Sequence, residues 1–390
     1  MNILVVDDSS EIRLIIEHYL RKLEHHVDLA VDGIGAWDLI KDNDYQVIIC
    51  DWKMPKLDGL SLCKKIRKQG FKHYLYFILL TGMSGKNNTL DAIKAGVDDF
   101  VSKPIDSIEL EIRLRSATRV LDLYSSLEAN NKALEKVNKQ LEDDLENATE
   151  TQIGVLPNFL KTDKIESSWY YKPAIYVGGD TFNYFAPSSD FLVFYNLDVS
   201  GHGMSAAMLS MFLQSTLGLK RSLYGGSINR DSIYTLPEIF AHNLNEMLLQ
   251  GSSEHYITMV FGVIDFKQQE IHYVQAGHPH PLWYKHSNQS LTSINVDGFP
   301  VGLIEQASYE TQHLSYQSGD KLIIHSDGIS EAISAKNQTL FTDDVLFEHF
   351  NQIKHLPATQ MVEEINDHWL VEEQLNKLPD DINILIFEFK

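Results

Sequence analysis

Four aspartates beyond residue 170 share one kind of position, each beside an apolar run that reads as a buried strand. Asp198 ends Phe191-Leu192-Val193-Phe194-Tyr195-Asn196-Leu197 and opens Val199-Ser200-Gly201-His202-Gly203. Asp180 follows Val177-Gly178-Gly179, and Asp327 follows Lys321-Leu322-Ile323-Ile324-His325-Ser326. Asp380, with Asp381 and Asn383 close behind it, leads into Ile384 to Phe389. A carboxylate at a strand end beside glycines, which allow close backbone approach, suits a divalent cation. Any one of them could equally be a turn former or a helix cap. Together they could hold two hard cations a few ångströms apart with water between, the arrangement for metal-activated water attacking a phosphate ester. Cysteine and clustered histidine are missing from the set, so magnesium or manganese fits better than zinc.

A second group lies near the N-terminus: Asp7 and Asp8, Asp51, Thr81, and Lys103 before Pro104. Three carboxylates, a hydroxyl and an amine meeting in one crevice make a cation-assisted phosphoryl site. Asp7 and Asp8 would hold magnesium, Asp51 would be the nucleophile, and Thr81 and Lys103 would bind phosphoryl oxygens. Each residue alone is ordinary loop polarity; five in register are not.

These residues need scaffolds to bring them together. In residues 1–117, Ile3 to Val6, Val27 to Ala30, Val47 to Cys50, Tyr76 to Leu80 and Asp99 to Val101 read as five strands. Helical patterns at Glu11 to Lys22, Gly35 to Lys41, Leu60 to Lys68 and Asn87 to Ala95 alternate with them, and another begins at Ile108. That alternation predicts an α/β doubly wound domain with a parallel sheet, whose sites lie at the carboxyl ends of the strands. Residues 153–390 mix strand patterns with helices expected at 203–220, 235–250 and 343–375, which predicts a β-sandwich with helices outside, an α/β/β/α arrangement.

Between them, 118–152 reads as one long helix. Tyr124, Asn131, Asn138 and Leu145 fall at a positions when Leu127, Leu134 and Leu141 are placed at d, about four heptads without glycine or proline. The pattern fits a parallel coiled-coil homodimer; an amphipathic helix packed on its own chain fits it too. Glu128, Glu135 and Glu142 at e have no basic partners at g.

The totals narrow the function classes. With 54 acidic against 33 basic residues the formal net charge is -21, which argues against direct nucleic-acid binding. Cys50 and Cys63 show no metal-ligand spacing, which points to a reduced, cytoplasmic compartment. No apolar run approaches the ~18 residues of a membrane span, and a membrane partner is not expected.

Val5-Val6-Asp7-Asp8, Asp51-Trp52-Lys53-Met54-Pro55 with Asp58-Gly59, Thr81-Gly82 and Lys103-Pro104 resemble the receiver domain of bacterial two-component response regulators. The resemblance implies phosphorylation of Asp51 by a sensor histidine kinase or phosphotransfer protein, with Mg2+ held by Asp7, Asp8, Asp51 and the backbone carbonyl of Lys53. Thr81 and Phe100 would repack on phosphorylation. Lys53 and Met83 occupy two positions that vary widely in that family; neither has the polarity to position a hydrolytic water, so a long-lived phosphoryl state is expected.

Gln152 to Pro157, Pro173 to Asp180, Asp198 to Gly203, Ala276-Gly277-His278-Pro279-His280-Pro281, Gly298 to Gly302, Ser326 to Glu331, and Asp380-Asp381-Ile382 resemble the PPM-type metal-dependent serine/threonine phosphatases in their SpoIIE-like branch. The resemblance carries catalytic metal roles to Asp180, Asp198, Asp327 and Asp380, with the carbonyl of Val199 as a further ligand and Asp381 as the less favoured alternative to Asp380. Two Mn2+ or Mg2+ ions are implied, with the 276–281 and 298–302 loops near substrate. Asn183 stands where the family usually has a second acid, which would weaken metal affinity, and Asn383 where threonine is common, a tolerated change. His202 and His278 read as turn residues in preference to general acids. The function expected is a response regulator whose Asp51 controls hydrolysis of phosphoserine or phosphothreonine on a partner, by resemblance a phosphorylated anti-sigma-factor antagonist. The alternative is a phosphorylation-controlled adaptor with an inactive phosphatase-like domain.

Overall fold

Runs such as Ile3-Leu4-Val5-Val6 and Val47-Ile48-Ile49-Cys50 are apolar at every position, so they suit strands covered on both faces. A computed structural model of the chain places them in that setting. It describes all residues except 83–85, 202, 218–229, 231, 252–254, 332, 335–338, 341–342 and 370–377; Met83 and His202 therefore lie outside the described residues. The chain divides into two compact units, Met1–Gln140 and Leu141–Lys390.

The first unit runs β1 (Asn2–Val6), α1 (Ser10–Lys22), β2 (His26–Ala30), α2 (Gly33–Asp42), β3 (Val47–Asp51), α3 (Gly59–Gln69), β4 (Tyr76–Thr81), α4 (Lys86–Ala95) and β5 (Asp99–Ser102) into α5 (Ser107–Gly154). The strands form one sheet in the order β2-β1-β3-β4-β5, with every pairing parallel. One apolar layer holds Leu4, Val6, Ile48, Cys50, Phe77 and Leu79, and the opposite layer Ile3, Val5, Ile49, Ile78, Leu80 and Leu110. Period-two alternation thus sends each strand's side chains to two helical layers. Asp32 and Asp58 cap α2 and α3 with their carboxylates, which starts those helices just beyond the strand ends.

The expected helix from Ile108 and the expected connector are one element. Without glycine or proline before Gly154, α5 continues for 48 residues. Its d-position residues Leu127, Leu134 and Leu141 are 55 %, 58 % and 56 % exposed in the single chain, while Tyr124 stacks on Tyr74 with ring centroids 4.2 Å apart. Glu128 pairs within the helix with Lys132 at 2.6 Å.

The second unit is a sandwich. Strands β6 (Ile165–Lys172), β7 (Thr181–Ser188) and β8 (Phe191–Val199) precede helices α6 (Met204–Leu217) and α7 (Leu236–Gln250). There follow β9 (Ile257–Asp265), β10 (Glu270–Ala276), β11 (Leu282–Lys285), β12 (Ser290–Ser293), β13 (Gln312–Ser315), β14 (Lys321–His325) and the short α8 (Gly328–Glu331). A small ladder of β15 (Ile333–Ser334) and β16 (Thr339–Leu340), helices α9 (Asp343–Ile353) and α10 (Ala358–Glu364), a π-turn at Ile365–Trp369 and β17 (Ile382–Phe389) complete it. The sheets are β13-β10-β9-β8-β7 and β12-β11-β14-β17-β6. Phe182, Phe194, Ile324, Leu385 and Phe387 fill the space between them. The outer face of the first sheet packs on α6 and α7 through Tyr195, Phe261, Leu213, Phe240 and Leu244. The outer face of the second packs on α9 and α10 through Ile323, Ile384, Phe350 and Met361. The four layers are the α/β/β/α arrangement expected.

The helix expected across 343–375 is not continuous. It stops at Ile353 and restarts at Ala358, with Pro357 in the N-cap position, because proline lacks the N–H that a continuing helix requires. Of the helix expected across 203–220, Met204–Leu217 is helical and 218–220 lies outside the described residues.

Candidate active site

Antiparallel pairing explains how the four aspartates meet. Thr181 at the start of β7 pairs with Leu197 near the end of β8, so Asp180 and Asp198 reach the same end of one sheet. His325 at the end of β14 pairs with Ile384 near the start of β17, which brings Asp327 and Asp380 to one end of the other.

Within this group the carboxylates repel one another in a poorly hydrated space. Burial, then the neighbouring charges of Asp327, Asp380 and Asp381, push the Asp198 carboxyl up to about 7. Burial, with Asp198, Asp381 and Asp327 around it, holds Asp180 well above its ordinary range. Asp327 is raised by burial and by Asp380 and Glu331. Among the described residues no three of these acids bring ligand oxygens within 4.8 Å of one another. The donors are carboxylates and a backbone carbonyl, oxygen only, which is the chemistry of a hard divalent cation. The residues therefore fit magnesium or manganese.

The two adjacent acids of the last motif differ in role. Asp381 is buried, and its Oδ1 accepts from the Ala174 N–H at 2.7 Å while its Oδ2 accepts from Gly179 N–H at 2.6 Å and Asp180 N–H at 3.5 Å. A β-carbon at Gly178 would collide with that carboxylate, and one at Gly179 would come to 2.8 Å from the Val199 carbonyl oxygen. The paired glycines are therefore what lets the turn before Asp180 lie against both. Asp381 fixes this turn, and the half-buried Asp380 is the acid that faces Asp198 and Asp327.

Three residues of this site are structurally active in ways their sequence context does not reveal. Asn383 is buried, and its Nδ2 donates to Asp180 Oδ2 at 2.8 Å while its Oδ1 accepts from Asn196 Nδ2 at 2.5 Å. It acts as the rest for Asp180, a role compatible with the tolerated change expected at this position. Ser326 Oγ donates to the Asp381 carbonyl at 3.1 Å and accepts from Asn383 N–H at 3.0 Å, tying β14 to β17. Thr258, opposite Asp198 in β9, directs its hydroxyl to Asp198 Oδ2 at 3.4 Å and lies 2.9 Å from His278 Nδ1. Burial and then His325 push His278 down to about 3, so the ring stays neutral at pH 7 and lacks the imidazolium proton that a general acid would give. Asn183 turns its oxygen to the neighbouring Tyr184 N–H at 2.7 Å.

The N-terminal unit gathers its own group. Asp7 is fully buried, accepting from Ser9 N–H at 2.8 Å and from Lys103 Nζ at 2.8 Å. Asp51 closes β3 and receives Lys103 Nζ at 2.6 Å. Ligand oxygens of Asp7, Asp8 and Asp51 all lie within 4.8 Å of one another. Burial raises the Asp51 carboxyl, although Lys103 pulls it down. Burial would lower the Lys103 ammonium, but Asp51 and Asp7 outweigh that and hold it above its ordinary value. Thr81 closes β4, and its carbonyl accepts from Lys103 N–H at 2.8 Å. Lys53 is exposed in the loop after β3, and Phe100 is half-buried against the layer that contains Phe77.

Comparison with known proteins identifies the family of each part of the chain. A model of the stage II sporulation protein E (SpoIIE) family matches residues 188–390, a little over half of the chain. The chain belongs to the SpoIIE family. A response regulator receiver domain model matches residues 3–115. The protein is thus a CheY-like receiver joined through α5 to a SpoIIE-family PPM phosphatase domain. A chemotaxis protein CheY homolog of Campylobacter jejuni is 40 % identical over 116 residues, 29 % of this chain and 89 % of that protein. Phosphoserine phosphatase RsbP of Bacillus subtilis is 24 % identical over 247 residues, 63 % of this chain and 58 % of that protein. Among solved structures, the SiaA-PP2C domain of Pseudomonas aeruginosa matches with a TM-score of 0.53 at 16 % identity, covering 65 % of this chain and 99 % of that domain. That likeness establishes the fold of the C-terminal unit. No helix among the described residues is long and apolar enough to cross a membrane.

Proposed function

We propose that the SpoIIE-family domain is a metal-dependent phosphatase acting on phosphoserine or phosphothreonine of a partner protein, and that Asp51 phosphorylation in the receiver controls it. The observation that carries this reading is the convergence of Asp180, Asp198 and Asp327, all raised by burial and mutual repulsion, with the half-buried Asp380 facing them. A purely scaffolding domain gains nothing from such a group, since uncompensated buried charge costs stability. Asp180, Asp198, Asp327, Asp380 and the Val199 carbonyl would hold two Mn2+ or Mg2+ ions, which supply an activated water and polarise the phosphoryl oxygens. Asn383 and Asp381 orient Asp180, and Thr258 orients Asp198. Neutral His278 leaves the proton transfers to water and carboxylate.

In the receiver, Asp7, Asp8, Asp51 and the Lys53 carbonyl would hold Mg2+, Asp51 would accept the phosphoryl group from a sensor histidine kinase or phosphotransfer protein, and Lys103 with Thr81 would contact it. Phe100 would follow Thr81 in repacking. The relative RsbP carries the name phosphoserine phosphatase, which supports phosphoserine as the group removed; a partner of the anti-sigma-factor antagonist type is what the family resemblance adds. The exposed leucines at d in α5 support a homodimer through that helix. The test is a manganese-dependent phosphatase assay on the full chain and on Asp198→Ala, with and without acetyl phosphate. Metal-dependent turnover lost in the variant and changed by phosphorylation is expected. A wild-type chain without metal-dependent turnover would be an adaptor instead.

A further inference from the structure

The turn that presents Asp180 is gripped from two sides, and one of them is the end of α5. Gln152, in the last turn of that helix, is buried. Its Oε1 accepts from the Gly178 N–H at 3.0 Å and its Nε2 donates to the Gly178 carbonyl at 2.7 Å. A single side-chain amide thus satisfies both backbone groups of the residue whose neighbours carry the metal-facing geometry. The same Nε2 lies 3.3 Å from Ser210 Oγ on α6, and that hydroxyl also donates to the Gly178 carbonyl at 3.1 Å. One residue on, Asp381 holds Gly179 and Asp180.

We propose that Gln152 is a positioning residue that registers the end of α5 against the Gly178-Gly179-Asp180 turn, so that displacement of this helix end is felt as a loss of metal affinity. The inference rests on the metal-dependent reading above and names the contact by which that site can be regulated. Its geometry is demanding. An amide matches a peptide group only when donor and acceptor are both aligned, and neighbouring helix positions differ in direction by about 100°. A rotation of the last turn by one residue therefore removes both bonds together. The buried Gly178 N–H would then lose its acceptor, and its carbonyl would keep only the Ser210 hydroxyl. Asp180 sits two residues from the clamp, and the Val199 carbonyl packs against Gly179, so both proposed ligands lie within reach of the disturbance. No other residue type serves as well: glutamate at this position could accept from the Gly178 N–H but would set a negative oxygen against its carbonyl, and leucine would make neither bond.

The test uses the full chain, stripped of metal and titrated with Mn2+ by calorimetry. The receiver trio Asp7, Asp8 and Asp51 supplies an internal control, and the second class of sites is assigned by its loss in Asp198→Asn. Gln152→Leu and Gln152→Glu are expected to weaken the second class about tenfold or more, the range for residues that orient metal ligands, with the receiver class unchanged. Hydrogen exchange gives a readout independent of metal: backbone amides of 176–181 should exchange faster in both variants, while β8, β9 and β17 keep wild-type protection. Unchanged Mn2+ affinity and unchanged exchange at 176–181 would overturn the proposal, as would loss of protection throughout the C-terminal unit, which would make Gln152 a general structural residue. Absence of the second Mn2+ class in the wild type refutes the phosphatase reading itself, and the exchange arm then decides the clamp separately.

Discussion

Asp198→Asn should stabilise the metal-free protein at neutral and alkaline pH while abolishing its function. The folded chain holds the Asp198 carboxyl at about 7, against an ordinary value of 3.8. A folded value raised above the unfolded one means that the native state binds more protons between those two limits. Stability is then highest below the unfolded value and is lost as pH rises through the folded one, at up to about 1.4 kcal/mol per pH unit. From 3.8 to about 7 the full cost of ionising Asp198 is about 4 kcal/mol. Because the neighbouring acids titrate with it, part of that belongs to the group, and a net gain of about 2 kcal/mol for the amide is the figure to test. Asparagine keeps the size of the side chain and can donate to Asp180, which the charged form cannot. Urea unfolding of the full chain in a chelator, followed by tryptophan fluorescence, measures the difference between variant and wild type; contributions from the receiver cancel. The variant should be more stable at about pH 8, the gap should close near pH 4, and excess Mn2+ should restore the wild type but not the variant. Equal or lower stability of Asp198→Asn at about pH 8, or a gap that ignores pH, would refute the electrostatic account of this site.

Two other substitutions separate roles that adjacent residues might be thought to share, and one measurement probes the receiver. Asp381→Ala leaves the half-buried N–H of Ala174 and the buried N–H of Gly179 without their acceptor, and should cost about 3 kcal/mol in unfolding free energy with or without metal. Asp380→Ala should abolish turnover with no such loss in a chelator; a destabilisation equal to that of Asp381→Ala would reverse the assignment. For Asp51 phosphate, the exposed Lys53 carries an ammonium that can donate hydrogen bonds but has no acceptor to take a proton from an attacking water, so a lifetime of many minutes is expected in a radiolabel decay assay, and a lifetime of seconds would be inconsistent with it.

What could be read from the residues alone were features set by local pattern. Apolar runs closed by Asp51, Asp198 and Asp327 mark both a strand and its functional end, because burial of the run fixes where the first charged residue emerges. The contacts of Asn383 were not legible for the opposite reason. Its bonds go to Asp180 and Asn196, which lie 203 and 187 residues away in sequence, and only the packing of two sheets defines them. Thr258 faces Asp198 through the β8–β9 register, which no single-strand pattern specifies. The break before α10 was visible in principle at Pro357, but the amphipathic pattern on either side of it masked the interruption. The continuity of α5 across the expected domain boundary follows from an absence of helix breakers, a signal that marks no boundary.

The two acidic groups of this protein manage the same electrostatic problem differently, and the difference bears on control. In the receiver, Lys103 sits between Asp7 and Asp51 at 2.8 and 2.6 Å, so part of the negative charge is neutralised by the chain itself. Asp7 can then be fully buried without needing an ion to keep the fold. In the phosphatase domain, among the described residues, no lysine or arginine forms an ion pair with Asp180, Asp198, Asp327, Asp380 or Asp381. Its neutralisation must come from protons or from bound cations, and the two compete for the same carboxylates. A site of this kind is sensitive to small changes in ligand placement, since each oxygen moved away weakens the cation's hold while the repulsion among the acids remains. A control element need not block substrate or move a catalytic base to act on it. In the proposed reading, shifting the turn that carries Asp180 would be enough, and the structure holds that turn by contacts from Asp381 on one side and Gln152 on the other.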